Sequence, residues 1–191
     1  MYTFHKKVKS KRYDVVGIGS ALLDIVYNVD ENLLEELGLK KGGYTSITKE
    51  KSREILEKLN SHNSSINPGG SCSNTLANLT SLGAKTSFLG KIGNDEYGNI
   101  YEKETIGLGI NARLSKHGSE ITGHAITFIT PDKERTFAVH LGASRYLDID
   151  DISEQTITNA KILHMEGYQL GNPDLRHVVF HAINIAKKNK V

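Results

Sequence analysis

Asn67-Pro68-Gly69-Gly70-Ser71-Cys72-Ser73-Asn74-Thr75-Leu76-Ala77-Asn78-Leu79-Thr80-Ser81-Leu82-Gly83 is the stretch on which the fold of this chain turns. Pro68 and two glycines predict a tight turn. Leu76, Leu79 and Leu82 recur at helical spacing, and Gly83 stops the run as a glycine just past a helix does. A glycine turn running into a helix lets a ligand approach bare backbone, beside N–H groups that have no helical partner. Asn74, near the helix start, offers such a ligand both a donor and an acceptor. Alone, the stretch reads equally well as a plain strand-to-helix turn with Ser71 as N-cap.

Working outward, strands and helices alternate on both sides of this turn. Tyr13 to Gly19 is a short apolar run ending in glycine, a buried strand by pattern. Gly17-Ile18-Gly19 opens like a dinucleotide fingerprint, but Leu22 stands where the third glycine belongs, which rejects that reading. Residues 23–29 continue as an extended piece carrying Asp24, a carboxylate in an apolar stretch that must find partners or stay exposed. Residues 31–37 predict a short helix, 42–47 an extended segment, and 48–59 a helix capped by Thr48. Residues 61–68 are polar and predict a loop. Beyond Gly83, 85–92 predict a strand, 93–98 a turn, and 99–106 a helix ended by Gly107. Residues 122–130 and 135–141 predict a hairpin across the turn 131–134. Residues 149–158 predict a short helix, 161–166 a buried strand, and 173–188 a helix with Pro173 in its first turn. The inner side of that last helix is expected to be Leu175, Val178, Val179, Ala182, Ile185 and Ala186.

This alternation predicts an α/β domain with a mainly parallel sheet. The hairpin at 122–141 and the pieces at 23–29 and 43–47 lack intervening helices of that kind. They read as a separate small β layer, placed to cover a site at the strand ends.

The chain has 191 residues, 38% hydrophobic and 24% charged, with a net charge of +2. That is the composition of one soluble domain with a core, and no apolar run approaches the length of a membrane span. Near-neutral charge argues against nucleic acid as a partner. Lys6, Lys7, Lys9, Lys11 and Arg12 predict a basic flexible tail over residues 1–12. No apolar segment follows those lysines as in a secretory signal, and the one cysteine, Cys72, fits a reducing compartment, so the expected location is the cytoplasm. His177 and His181 share a helix face without the Glu of a metalloprotease motif, and neither a Walker A nor a G-x-S-x-G motif occurs. Cys72 beside the glycines reads as a small packing residue, with a reactive thiol as the alternative.

Asp24, Gly70 and Asn74 form a set suited to a sugar or ribose diol. An ionised carboxylate accepts from two neighbouring hydroxyls, Asn adds a donor and an acceptor, and exposed backbone at Gly69-Gly70 lets a polyol lie close. The stretch from Gly69 to Gly83 resembles the first signature of the PfkB-type, ribokinase-like family of carbohydrate and nucleoside kinases. Phe88 to Gly98 is similar to that family's next landmark. Residues 130–136 and Leu141-Gly142-Ala143-Ser144 are similar to its lid hairpin and the segment after it, and Gly17-Ile18-Gly19 with Asp24 also matches. The flavour is closer to adenosine-kinase-like members than to fructose-phosphate kinases.

The resemblance implies a ribokinase-like βαβ core with a small β-sheet lid, formed by segments about 23–47 and 122–141. It implies transfer of the ATP γ-phosphoryl group, with Mg²⁺, to a hydroxymethyl group of a sugar or nucleoside. It carries Asp24, Gly43, Gly69, Gly70 and Asn74 over as substrate-binding residues. His124, Phe128 and Phe137 become lid residues, and with Tyr27 they are candidates for the pocket wall. The family's Gly-Ala-Gly-Asp turn, which supplies the catalytic base and an anion hole, is absent, as is its Asn-x-x-Glu motif in the proper place. The likeness therefore implies the N-terminal part of such a kinase, keeping the acceptor side and lacking most of the nucleotide site. The pattern reaches Val191 where an α/β chain would begin its next strand. Three readings stay open: a truncated kinase that does not act alone, half of a split kinase completed by a separate C-terminal half, and a non-catalytic or vestigial sugar or nucleoside binder. An exposed sheet edge makes a homo-oligomer a further expectation.

Overall fold

A computed structural model describes residues 11–191. Its nine strands, counted among the described residues, form two sheets. The first is β6-β5-β1-β9, all parallel, from β1 (Tyr13–Ile18), β5 (Thr86–Gly93), β6 (Asn111–His117) and β9 (Ala160–Met165). The second is β3-β8-β7-β2-β4, from β2 (Leu22–Asn28), β3 (Tyr44–Ser46), β4 (Ser64–Gly69), β7 (Gly123–Ile129) and β8 (Arg135–His140). It is mixed: β2 runs parallel to β7, and β3 to β8, while the other two pairings are antiparallel.

The helices explain the sheets. Beyond a short α6 (Gly167–Gly171), α7 (Pro173–Lys188) lays its apolar side on one face of the first sheet, where Val16, Ile18 and Leu89 meet Leu175, Val178, Ala182 and Ile185. That inner face is the one read from the 3.6-residue spacing. α3 (Ser71–Ser81) and α4 (Glu96–Gly107) cover the other face, where Val15, Phe88 and Ile92 meet Leu76 and Tyr101. α1 (Glu31–Glu36) and α2 (Lys49–Lys58) cover one face of the second sheet only, closing Ile25, Tyr27, Ile126, Phe128 and Ala138 against Leu34, Leu37, Ile55 and Leu59. Each such side chain contributes about 1.5–3 kcal/mol by leaving water. Thr48 caps α2, its hydroxyl accepting from the Lys51 N–H at 3.2 Å.

Several expectations are corrected. Residues 61–68 are not all loop. Ser64 to Gly69 pair with β2 as an edge strand, which Ser, Asn and Pro disguise and which tolerates Pro68 because an edge needs fewer N–H groups. β6 carries no strand-like run in the sequence, because Asn111, Arg113, Ser115, Lys116 and His117 interrupt its two apolar residues. The turn expected at 93–98 already contains the start of α4, since Asp95 accepts from the Gly98 N–H at 2.8 Å and caps the helix there. Gly70, not Ser71, is the N-cap of α3. Its φ of 91° is left-handed, and a side chain there would strike the Ser20 carbonyl oxygen. The helix expected over 149–158 is broken: a 3-10 turn at Ile149–Asp151 precedes α5 (Glu154–Thr158), which Ser153 caps anew. β9 is half exposed rather than buried, because it is an edge of its sheet, with Ile162 open to solvent.

The basic tail lies, up to residue 10, outside the described residues. Lys11 is anchored, its ammonium donating to the Thr158 carbonyl oxygen at 2.7 Å, and Arg12 lies over the Tyr13 ring. Among the described residues no helix is long and apolar enough to cross a membrane.

Candidate functional site

The site lies where the two sheets meet. β1 leads into β2, and β4 into α3, through Ser20 and Gly70. On β2 the burial pattern alternates: Leu23, Ile25 and Tyr27 are buried, while Leu22, Asp24 and Val26 are half-buried. Side chains on a strand alternate between faces and cross-strand partners share one. Register then divides the whole sheet. Asp24 opposes Ala125, and Ala125 opposes Val139; Val26 opposes Thr127, and Thr127 opposes Phe137. These occupy the face away from α1 and α2. His124, Ile126, Phe128, Thr136, Ala138 and His140 share the helix-covered face with Leu23, Ile25 and Tyr27.

The pocket-wall reading is therefore corrected for three of four residues. Phe128 is wholly buried in the core against α1 and α2, and Tyr27 lies with it. His124 is buried too. Its Nδ1 faces the Thr122 carbonyl oxygen at 3.1 Å and so donates, leaving Nε2 to accept from the Ser52 hydroxyl at 2.5 Å. Burial pushes its pKa down, which suits this neutral ring. Phe137 alone stands on the Asp24 face, half-buried beneath the Arg135 guanidinium, 5.0 Å from the ring centroid.

Asp24 is held by what is missing beside it. A Cβ on Gly69 would lie 2.5 Å from the Asp24 carboxyl carbon, so only glycine leaves room for that carboxylate. No side chain among the described residues hydrogen-bonds to Asp24. Burial pushes its pKa up, and the Arg135 charge opposes the shift. Next along the chain, Gly70 exposes its turn. One helical turn later Asn74 is exposed, its N–H donating to the Gly70 carbonyl oxygen at 2.9 Å. Asp24, Gly69, Gly70 and Asn74 thus gather at one junction. Gly43 does not join them: it precedes β3, three strands across the sheet from β2, about 14 Å by strand spacing. Its carbonyl oxygen accepts from the Phe137 N–H at 2.9 Å.

A cavity of about 510 Å³ opens beside this junction, between Ser20, Gly70, Ser71 and Glu166 on one side and Leu22, Tyr44, Val139 and Leu141 on the other. Tyr44 and Tyr168 flank it and are 64% and 81% exposed. Among the described residues, the buried Gln169 Oε1 that lines it has no partner, nor has the buried Thr127 hydroxyl on the Asp24 face.

Glu166 was not legible as a site residue. It follows β9 and is only 8% exposed. Its carboxylate accepts from the Cys72 N–H and the Ser71 hydroxyl, both at 2.5 Å, and from the Ser20 N–H at 3.4 Å. Its only sequence signal was a charge closing an apolar strand. Cys72 is no reactive thiol: it is fully buried, and burial with the nearby Glu166 charge pushes its pKa well up. His177 and His181 are exposed, and His177 meets Asp148 at 3.1 Å.

The residues present do not fit a nucleotide phosphate or Mg²⁺. Glu166 takes the Cys72 N–H and the Ser71 hydroxyl at the start of α3, and among the described residues no group of three His, Cys, Asp or Glu side chains could hold a metal ion.

Comparison with known proteins places this geometry in context. Residues 14–191 match the model of the pfkB family carbohydrate kinases. The 5-dehydro-2-deoxygluconokinase of Halalkalibacterium halodurans is 32% identical over 128 residues, 64% of this chain and 38% of that protein. The enzyme of the same name from Bacillus subtilis is 27% identical over 194 residues, 100% of this chain and 51% of that protein. Among solved structures, the adenosine kinase of Sinorhizobium meliloti superposes with a TM-score of 0.85 at 28% identity, over 94% of this chain and 54% of that one. A probable sugar kinase from Rhizobium etli gives 0.85 at 25% identity, with the same coverage. The fold is the ribokinase-like one, and the chain spans about half the length of the adenosine and sugar kinases that it superposes on.

Proposed function

The chain belongs to the pfkB family of carbohydrate kinases, and we propose that residues 13–191 are the acceptor-binding half of an ATP-dependent sugar or nucleoside kinase. The observation that carries this is Asp24: a half-buried carboxylate without a hydrogen-bond partner among the described residues, seated against Gly69, which leaves it room beside the Gly70 turn. A carboxylate so placed accepts hydrogen bonds from two adjacent hydroxyls and fixes a sugar ring. Gly70 backbone and the Asn74 carboxamide complete the cradle. The second sheet serves as the lid, with Phe137 and Arg135 on its inner face, and water exclusion on closure would protect a transferring phosphoryl group. Tyr44 and Tyr168 at the cavity mouth suit a flat, apolar ring, which favours a nucleoside over a small free sugar.

ATP and Mg²⁺ would supply the phosphoryl group and its charge neutralisation, through residues other than those described. This chain's own part is to bind and orient the acceptor hydroxyl.

Calorimetric titration of the chain with adenosine and ribose tests the proposal. Binding of at least one, lost in Asp24→Asn while the fold persists by circular dichroism, is the expected result. No binding of either by the unaltered chain would overturn it.

A further inference from the structure

Around Gln169 the chain buries its polar side chain and exposes its neighbours. Gln169 is 2% exposed, while Tyr168 and Leu170 on either side are 81% and 43% exposed. Burial ordinarily selects the apolar residue, so a buried carboxamide in this place needs a physical reason. Its backbone is fixed. In α6 the Gln169 N–H donates to the Glu166 carbonyl oxygen, and the Asn172 N–H donates to the Gln169 carbonyl oxygen, both at 3.3 Å. Its side chain is not satisfied: the buried Oε1 has no partner among the described residues, and Gln169 lines the cavity of about 510 Å³. An acceptor kept dry and unpaired at a cavity wall is costly until a donor reaches it.

The same cavity carries two further marks of a ligand. Tyr44, which begins β3, and Tyr168, in α6, both line it and come from opposite sides of the junction between the sheets. Their exposed rings offer flat apolar faces to a flat partner. Gly70 lines the cavity too, so one space joins the acceptor cradle to Gln169. Its volume lies in the range that holds a whole small molecule.

We propose that Gln169 reads the base of a nucleoside acceptor, its carboxamide pairing with an amino group and the ring nitrogen beside it while the base lies against Tyr44 and Tyr168. A carboxamide presents an acceptor and a donor side by side, and an aminopurine edge presents the complementary pair. A hydrocarbon side chain at this place would hold the same ring without asking for that edge. This rests on the acceptor-site reading and deepens it by naming the feature of the ligand that is read. Gln169 is in these terms a specificity residue.

Calorimetric titration of the unaltered chain with adenosine and with purine riboside, the same nucleoside without its amino group, tests this. Adenosine is expected to bind at least about tenfold more tightly. In Gln169→Leu, adenosine should weaken by about tenfold and purine riboside by less than about twofold, so that the difference closes. The substitution removes an unpartnered polar atom, so the ligand-free variant should melt no lower than the unaltered chain. Equal affinities for the two nucleosides in the unaltered chain would overturn the proposal, as would a difference that survives Gln169→Leu. The comparison of ligands needs no variant and decides the matter if Gln169→Leu does not fold. Ribose and gluconate, which carry no base, separate this proposal from the acceptor-site reading. If they bind as tightly as adenosine and Gln169→Leu changes nothing, the acceptor site stands and base reading falls. If none of the four ligands binds, both fall.

Discussion

In the four-stranded sheet, β1 and β5 are buried along nearly their whole length, because α7 covers one face and α3 and α4 the other. In the five-stranded sheet β2 alternates between buried and half-buried, and β4 is exposed over its first four residues. A sheet covered on both faces has no face left for a ligand, so it offers only its strand ends. A sheet covered by helices on one face keeps a second face without them, and there Asp24 and Phe137 stay half-buried while Thr127 is buried. The scaffold and the recognition surface of this molecule are thus separated by coverage, not by composition.

Paired truncations on the second sheet are the strongest way to break that comparison. Phe128→Ala, on the helix-covered face, should cost about 3–5 kcal/mol in urea unfolding while leaving adenosine affinity of the folded fraction unchanged. Phe137→Ala, on the free face, should cost clearly less and alter affinity instead. Equal stability losses would mean that the two faces are not distinct. Next in size, Gly69→Ala drives a methyl group into the Asp24 carboxylate and should cost about 1–3 kcal/mol, with acceptor binding weakened as Asp24 is displaced.

The smallest expected effect is a gain. Burial holds the Asp24 carboxyl above its ordinary value of 3.8, so the folded chain keeps that proton over a range where the unfolded chain has lost it. Stability therefore falls as pH rises through that range. Asp24→Asn should raise the melting temperature modestly at neutral pH and make no difference near about pH 3, where both states are protonated. A variant that melts lower at neutral pH would show that Asp24 supports the fold rather than the ligand.

The covered sheet was largely legible in the sequence, and the free face was not. Val15, Val16 and Ile18, like the stripe from Leu175 to Ala186, announce burial through apolar runs and helical spacing. β4 and β6 lie at sheet edges, where Ser65, Asn67, Arg113 and Lys116 remain solvated and nothing forces a strand-like composition. Asp24, Gly69, Gly70 and Asn74 could be chosen because charge and glycine stand out in their surroundings. Face could not. Whether His124 or Phe137 meets a ligand depends on the register of β7 against β2 and β8, and a shift of one residue exchanges every side chain between faces. Glu166 lies 94 residues beyond the Cys72 N–H that it meets, a distance over which no local pattern speaks.

That separation has a consequence in time. A chain emerging at about 5–20 residues per second exposes the start of α3 for roughly 5–20 s before Glu166 exists to meet it. β1, β5 and α3 can already be in place while the donors at Ser71 and Cys72 still face water. The last strand of the first sheet then delivers the carboxylate that closes the cradle. A nascent chain stopped short of residue 166 would leave the Cys72 N–H and the Ser71 hydroxyl facing water, so the cavity wall that Glu166 completes is among the later parts of this chain to form.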